Sequence, residues 1–177
     1  MAPERFSHDT ALYSFGKGIL KFDRFDENGL PTGLRDLGSC PSFNLTIEIE
    51  KIEHFSSREG LGVVDWTRTK IRRLKGSFDL EEFDRENLRL WLMGKKGSYG
   101  IPPLTSGDLI GMLDFVGTSD VGPRYHYQGW KVKLSPTGNL AFIGDEIGRF
   151  GFEFEAESDI SGHPKSPYGL LTLIGES

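Results

Sequence analysis

The sequence predicts a mainly β protein, an antiparallel β-sandwich or barrel with one flanking α-helix over about residues 80–93. Three observations carry this. Glycine supplies 23 of 177 residues, about 13 % against a usual ~7 %, and 13 phenylalanines accompany it, the composition of many short strands joined by tight turns. Apolar and polar residues alternate in several runs of strand length. Only one segment has helical spacing, and a single helix set between β segments is a flank rather than a layer. The length suits one domain over residues 1–177 with a sizeable core.

The first ten residues are polar and are expected to be flexible. A strand follows over residues 12–25, with Phe15, Ile19, Leu20 and Phe22, and ends at Asp26-Glu27-Asn28-Gly29, where the Asn-Gly pair suits a turn with positive φ. From 43 to 50 the alternation is cleanest: Phe43, Leu45, Ile47 and Ile49 face one way, and Asn44, Thr46, Glu48 and Glu50 the other. The phase then shifts at Ile52 and Phe55, which predicts a bulge near Glu50 and Lys51. Residues 56–66 read as a loop, and a strand resumes over 67–78. Asp79 is the expected N-cap of the helix, with Glu82 at the capping-box position and Leu80, Phe83, Asn87, Leu90 and Trp91 at helical spacing. Gly94 is its expected end. A loop with Pro102-Pro103 runs over 95–107. Further strands are predicted over 109–116, 125–134, 140–143 and 149–157. In the last, Phe150, Phe152, Phe154 and Ala156 share one face.

Composition narrows the chemistry. A net charge of −5 argues against tight nucleic-acid binding, which needs cations to neutralise phosphates. Cys40, the only cysteine, excludes an internal disulfide and lacks the context of a thiol enzyme. The histidines His8, His54, His126 and His163 are scattered, with no pair at ligand spacing. Gly16-Lys17-Gly18 and Gly94-Lys95-Lys96-Gly97 do not match a phosphate-binding loop, and no Gly-x-Ser-x-Gly elbow is present. No catalytic, cofactor or metal site is predicted, and no signal peptide or membrane-spanning run is expected. The reducing cytoplasm of the producing cell is the expected folding compartment.

Two surface features remain. Glu153, Glu155 and Glu157 can pair across strands with Lys131 and Lys133, and Glu48, Glu50 and Glu53 with Lys70, Arg72 or Arg73; alternatively an acidic face, with Glu48, Glu50, Glu153 and Glu155, lines a channel. The loop 56–66 carries Arg58 and Glu59 beside Leu61, Val63, Val64 and Trp66. Its apolar residues either tuck against the chain's own core or dock on a partner.

Several motifs together resemble the tube proteins of phage tails, long-tailed and contractile. They are Tyr13-Ser14-Phe15-Gly16-Lys17-Gly18, Leu37-Gly38-Ser39-Cys40-Pro41-Ser42-Phe43, the run from Glu50 through Gly60, and Leu80-Glu81-Glu82-Phe83-Asp84-Arg85-Glu86-Asn87-Leu88 ending at Gly94. They lie within residues 12–94; beyond these, the resemblance is only in strand type. The resemblance implies a non-enzymatic virion subunit that stacks in hexameric rings to form the conduit for DNA ejection. It implies self-association, contact with tail tip or initiator, tape measure and tail terminator proteins, and transient non-specific passage of DNA without membrane insertion. It makes 56–66 the loop that reaches a neighbouring subunit or ring, and it gives residues 1–10 a role in joining rings. Two other readings stand beside it: the tube of a secretion or contractile injection system, and a monomeric β-barrel binding a small apolar ligand.

Overall fold

A computed structural model describes residues 10–57, 60, 62–97 and 99–175. Eight strands form one sheet, and every pairing is antiparallel. They are β1 (Gly18–Arg24), β2 (Arg35–Asp36), β3 (Ser42–Phe55), β4 (Val64–Leu80), β5 (Leu109–Gly117), β6 (Arg124–Thr137), β7 (Phe150–Ala156) and β8 (Leu170–Ile174). The helix α1 (Arg85–Trp91) lies between β4 and β5, and a single 3-10 turn, Thr10–Leu12, precedes β1. The order across the sheet is β2-β1-β5-β6-β7-β4-β3, with β8 beside the first half of β6.

The two ends of that order, β2 and β3, are consecutive in the chain. Residues 37–41 join them, and five residues span at most about 17 Å. The sheet therefore rolls up to bring its ends together. Phe43 of β3 stacks on Phe115 of β5 with ring centroids 4.9 Å apart and lies 6.2 Å from Tyr127 of β6. Inside the roll Phe78, Phe150, Phe152 and Phe154 are buried with Leu20, Leu80, Leu109, Leu113, Val132 and Leu134. The predicted face of β7 is this core. Gly76 of β4 is required here, because a Cβ would meet the Phe154 ring at 2.4 Å.

The bulge falls where the phase shift places it, between Glu50 and Lys51, but the extra residue is Lys70 on the partner strand. The turn after β1 also forms: Asp26 Oδ1 accepts the amides of Asn28 and Leu30 at 2.8 Å, and Gly29 has φ +76°.

Four sequence expectations are corrected. The first strand begins at Gly18 rather than at residue 12. The helix is half the predicted length: Asp79 and Leu80 end β4, where Asp79 accepts from the Ser42 hydroxyl and pairs with Gly151. Asp84 is the N-cap instead, accepting from the Asn87 amide at 2.7 Å. Glu82 leaves the capping role to accept the Ser39 amide at 2.9 Å, tying the crossover 37–41 to the helix entry. At the other end, Met93 rather than Gly94 has positive φ. Residues 140–143 form no strand; Phe142 and Ile143 stand in solvent in an irregular loop because β7 pairs with β4 and β6, leaving no edge for them. The fourth correction concerns loop 56–66, which is shorter than expected: Val64 and Trp66 belong to β4. Strands β2 and β8 carried too little alternation to be predicted.

Asn87 fastens α1 to the roll. Its side chain is fully buried, donates to the carbonyls of Leu37 and Glu82, and accepts from Arg35 at 2.6 Å. Trp91 donates to the Thr137 carbonyl, and Phe83 meets Phe150 edge-on at 5.1 Å.

Candidate assembly surfaces

The β3–β4 hairpin outgrows the body. Strand β7 covers β4 only from Lys75 to Leu80, so residues 64–74 have β3 as their single neighbour among the described residues. Strand β3 pairs with β4 alone throughout. The outer half is thus a two-stranded ribbon, a form that is marginal in water without a third strand or a packed face. Its outer edge also presents a row of unpaired backbone donors and acceptors.

Beyond Leu74, which packs against the core, most of the ribbon's large apolar side chains are exposed. Leu45, Ile47 and Ile49 continue the face that Phe43 presents to the core, opposite Gly76, Leu74 and Arg72, but Ile47 is 72 % exposed and Ile49 50 %. Toward the tip Ile52, Phe55, Val63, Val64 and Trp66 are also exposed. Of the tip residues expected either to tuck in or to dock on a partner, Val63, Val64 and Trp66 do not tuck against the chain's own core. Arg58, Glu59 and Leu61 lie outside the described residues, as does residues 1–9 of the N-terminal segment. A second apolar protrusion escaped the sequence reading: the loop 140–149 exposes Phe142, Ile143 and Ile147, and its predicted strand pattern hid it.

The face of β6, β7, β4 and β3 opposite the core is polar. Lys133, Glu155, Lys75 and Thr46 stand side by side across it, as do Ser135, Glu153, Ser77 and Asn44. Arg73 draws three of the predicted acids together, with Glu50 at 2.6 Å, Glu155 at 3.5 Å and Glu48 at 3.6 Å, while Lys75 also pairs with Glu48. The hydrogen bond from Lys75 holds the Glu48 carboxyl below its usual range, and the same contact raises the Lys75 ammonium. Lys131 pairs with Glu157, as the alternation allows, but Lys133 turns to Asp108. Lys70 and Arg72 make no ion pair with these acids. Of the four candidate acids Glu153 alone lacks a cation. The face is therefore charged but nearly balanced.

Groups suited to catalysis are engaged elsewhere. Burial pushes the Cys40 thiol up to about 11, which keeps it protonated at neutral pH and a weak nucleophile. His54, His126 and His163 each hydrogen-bond a single aspartate, Asp65, Asp114 and Asp159 respectively. Among the described residues no three histidines, cysteines or carboxylates gather as metal ligands. No helix among them is long and apolar enough to cross a membrane. A cleft of about 790 Å³ is lined by charged residues such as Arg24, Glu27, Lys95 and Asp159 around Trp130.

A family described as "Protein of unknown function UCP028589" matches residues 13–100, from just before β1 to the loop beyond α1. No curated protein matches the chain.

Proposed function

We propose that the chain is the structural subunit of a phage tail tube, polymerising as stacked, hexameric rings that conduct DNA at ejection. The observation that carries this reading is the β3–β4 ribbon: long, edge-open and apolar on a face that the chain itself does not cover. A ribbon of this kind becomes stable when a neighbouring copy covers it, and head-to-tail contacts that close into a ring leave no free edge. The loop 140–149 supplies a further apolar contact. The ion-paired face of β6, β7, β4 and β3 suits a channel wall, since balanced charge neither grips phosphates nor presents sticky apolar surface. In this reading the subunit waits in the host cytoplasm and ends in the virion, meeting tip, tape measure and terminator proteins at the tube's ends. The tube of a secretion or injection system shares every feature used here, and genome context separates the two. An apolar-ligand barrel is less favoured, because phenylalanines fill the roll and the cleft around Trp130 is charged.

The test is electron microscopy of the concentrated protein together with an Ile47→Asp/Ile49→Asp variant. Rings or tubes with a channel of at least the roughly 20 Å of a DNA duplex are expected for the native chain, and dispersed monomers for the variant. Tubes from the variant would remove the ribbon from the assembly, and a native chain that stays monomeric at high concentration with a copurified lipid would replace the tube reading.

A further inference from the structure

A smaller pocket, of about 370 Å³, lies between the end of β1, the segment that follows it and the helix α1. Arg24, Arg35 and Arg89 all line it, in a chain whose net charge is −5. The carboxylates nearby are fewer than the guanidiniums. Glu86, on the wall, pairs with Arg89, and Asp84 pairs with Arg35 at 3.3 Å. Arg35 is further occupied by Asn87.

The other two arginines have capacity left over. The Arg89 Nε is buried without a hydrogen-bond partner. The Arg24 side chain is half-buried and makes no hydrogen bond or ion pair with any described residue; burial and the nearby charge of Arg89 both disfavour its charged form, against a smaller opposing pull from Glu86. A guanidinium carries five donors in a fixed fork shaped for carboxylate and phosphate oxygens. Two such groups, partly desolvated beside each other with one shared carboxylate, make an arrangement that costs stability until an anion joins it. The larger cleft that Arg24 also lines holds Asp26, Glu27, Asp108 and Asp159 against Lys95 and Lys131, whereas the helix-side pocket has three arginines against Glu86 on its wall.

We propose that Arg24 and Arg89 form a binding site for an oxyanion of the phosphate or carboxylate class. The inference is independent of the tube reading. The anion arrives either free or as an acidic side chain of a second copy of this chain, and the chemistry at the two guanidiniums is the same.

Thermal unfolding tests it, with inorganic phosphate added to the native chain at fixed ionic strength against chloride alone. Saturating phosphate is expected to raise Tm by about 3 °C. Arg24→Met is expected to melt no lower than the native chain in chloride, since it removes a charge without a partner, and to show no rise with phosphate. Arg24→Lys keeps the charge but not the fork and is expected to show a reduced rise. A rise equal in Arg24→Met, or no rise in the native chain beyond that in chloride, would overturn the site. Sedimentation in the same buffers separates the two sources: phosphate that dissociates subunits assigns the site to a neighbour's carboxylate, and unchanged association assigns it to a free anion.

Discussion

Strands β7 and β3 carry the same binary pattern and meet opposite fates. In β7, Phe150, Phe152, Phe154 and Ala156 alternate with glycine or glutamate, and all four are buried. In β3, Phe43, Leu45, Ile47 and Ile49 alternate with polar residues just as regularly, yet exposure rises past Phe43 and reaches 72 % at Ile47. The difference lies in neighbours. Strand β7 sits between β6 and β4 under a rolled sheet, whereas β3 is an edge that runs past the end of the roll. Alternation says that a strand has an apolar face; it does not say whether the chain or a partner covers that face.

The comparison predicts a wide gap in stability effects. Phe152→Ala should cost about 3–5 kcal/mol, whereas Ile47→Ala in the monomer should stay within about 0.5 kcal/mol; urea unfolding of dilute protein measures both. Equal costs would mean that the ribbon packs against the body. Between these, Asn87→Leu should cost about 2 kcal/mol, because it leaves the Arg35 guanidinium and the Leu37 carbonyl short of a partner where the helix is fastened to the roll.

A smaller effect has the opposite sign. The Tyr127 hydroxyl is buried without a partner, and burial pushes its pKa up to about 12. Tyr127→Phe is expected to stabilise the body by about 1 kcal/mol in the same assay. The smallest effect belongs to the polar face. Because Lys75 holds the Glu48 carboxyl low in the folded chain, that contact adds stability above the carboxyl's unfolded pKa and loses it as pH falls through the folded one. Lys75→Met should therefore melt slightly lower than the native chain at pH 7, and the two should converge in scans below about pH 4. Screening by solvent keeps this difference minor.

Much of the fold was legible because its signals are local. The Asn-Gly turn, the alternation in β3 and β7, and the phase shift at Glu50 need only nearby residues, and each has its counterpart in the structure. The helix start was misread because Asp79 and Asp84 are both plausible caps, and pairing of Asp79 with Ser42 and Gly151 decided between them. The exposed loop at Phe142 was misread as a strand because an apolar run looks the same with or without an edge to pair with. Strand β8 depends on the partner it meets in β6. On the candidate surfaces, the possible pairing of Glu48 and Glu50 with Arg73 was visible from the alternation, but the reach of Glu155 to the same arginine was not. Nor was the meeting of Arg24 with Arg89, 65 positions apart in the chain.

By itself the sequence determined the class of the fold, the composition of its core and the presence of an apolar strand face in the first half, because backbone preference and side-chain polarity act over a few residues. Only the tertiary structure decided that the sheet rolls up, that the outer half of β3 and β4 stands clear of it, and that two arginines share a pocket. Those outcomes depend on which distant strands pair and on what is left uncovered once they have, and no short window of sequence contains that information.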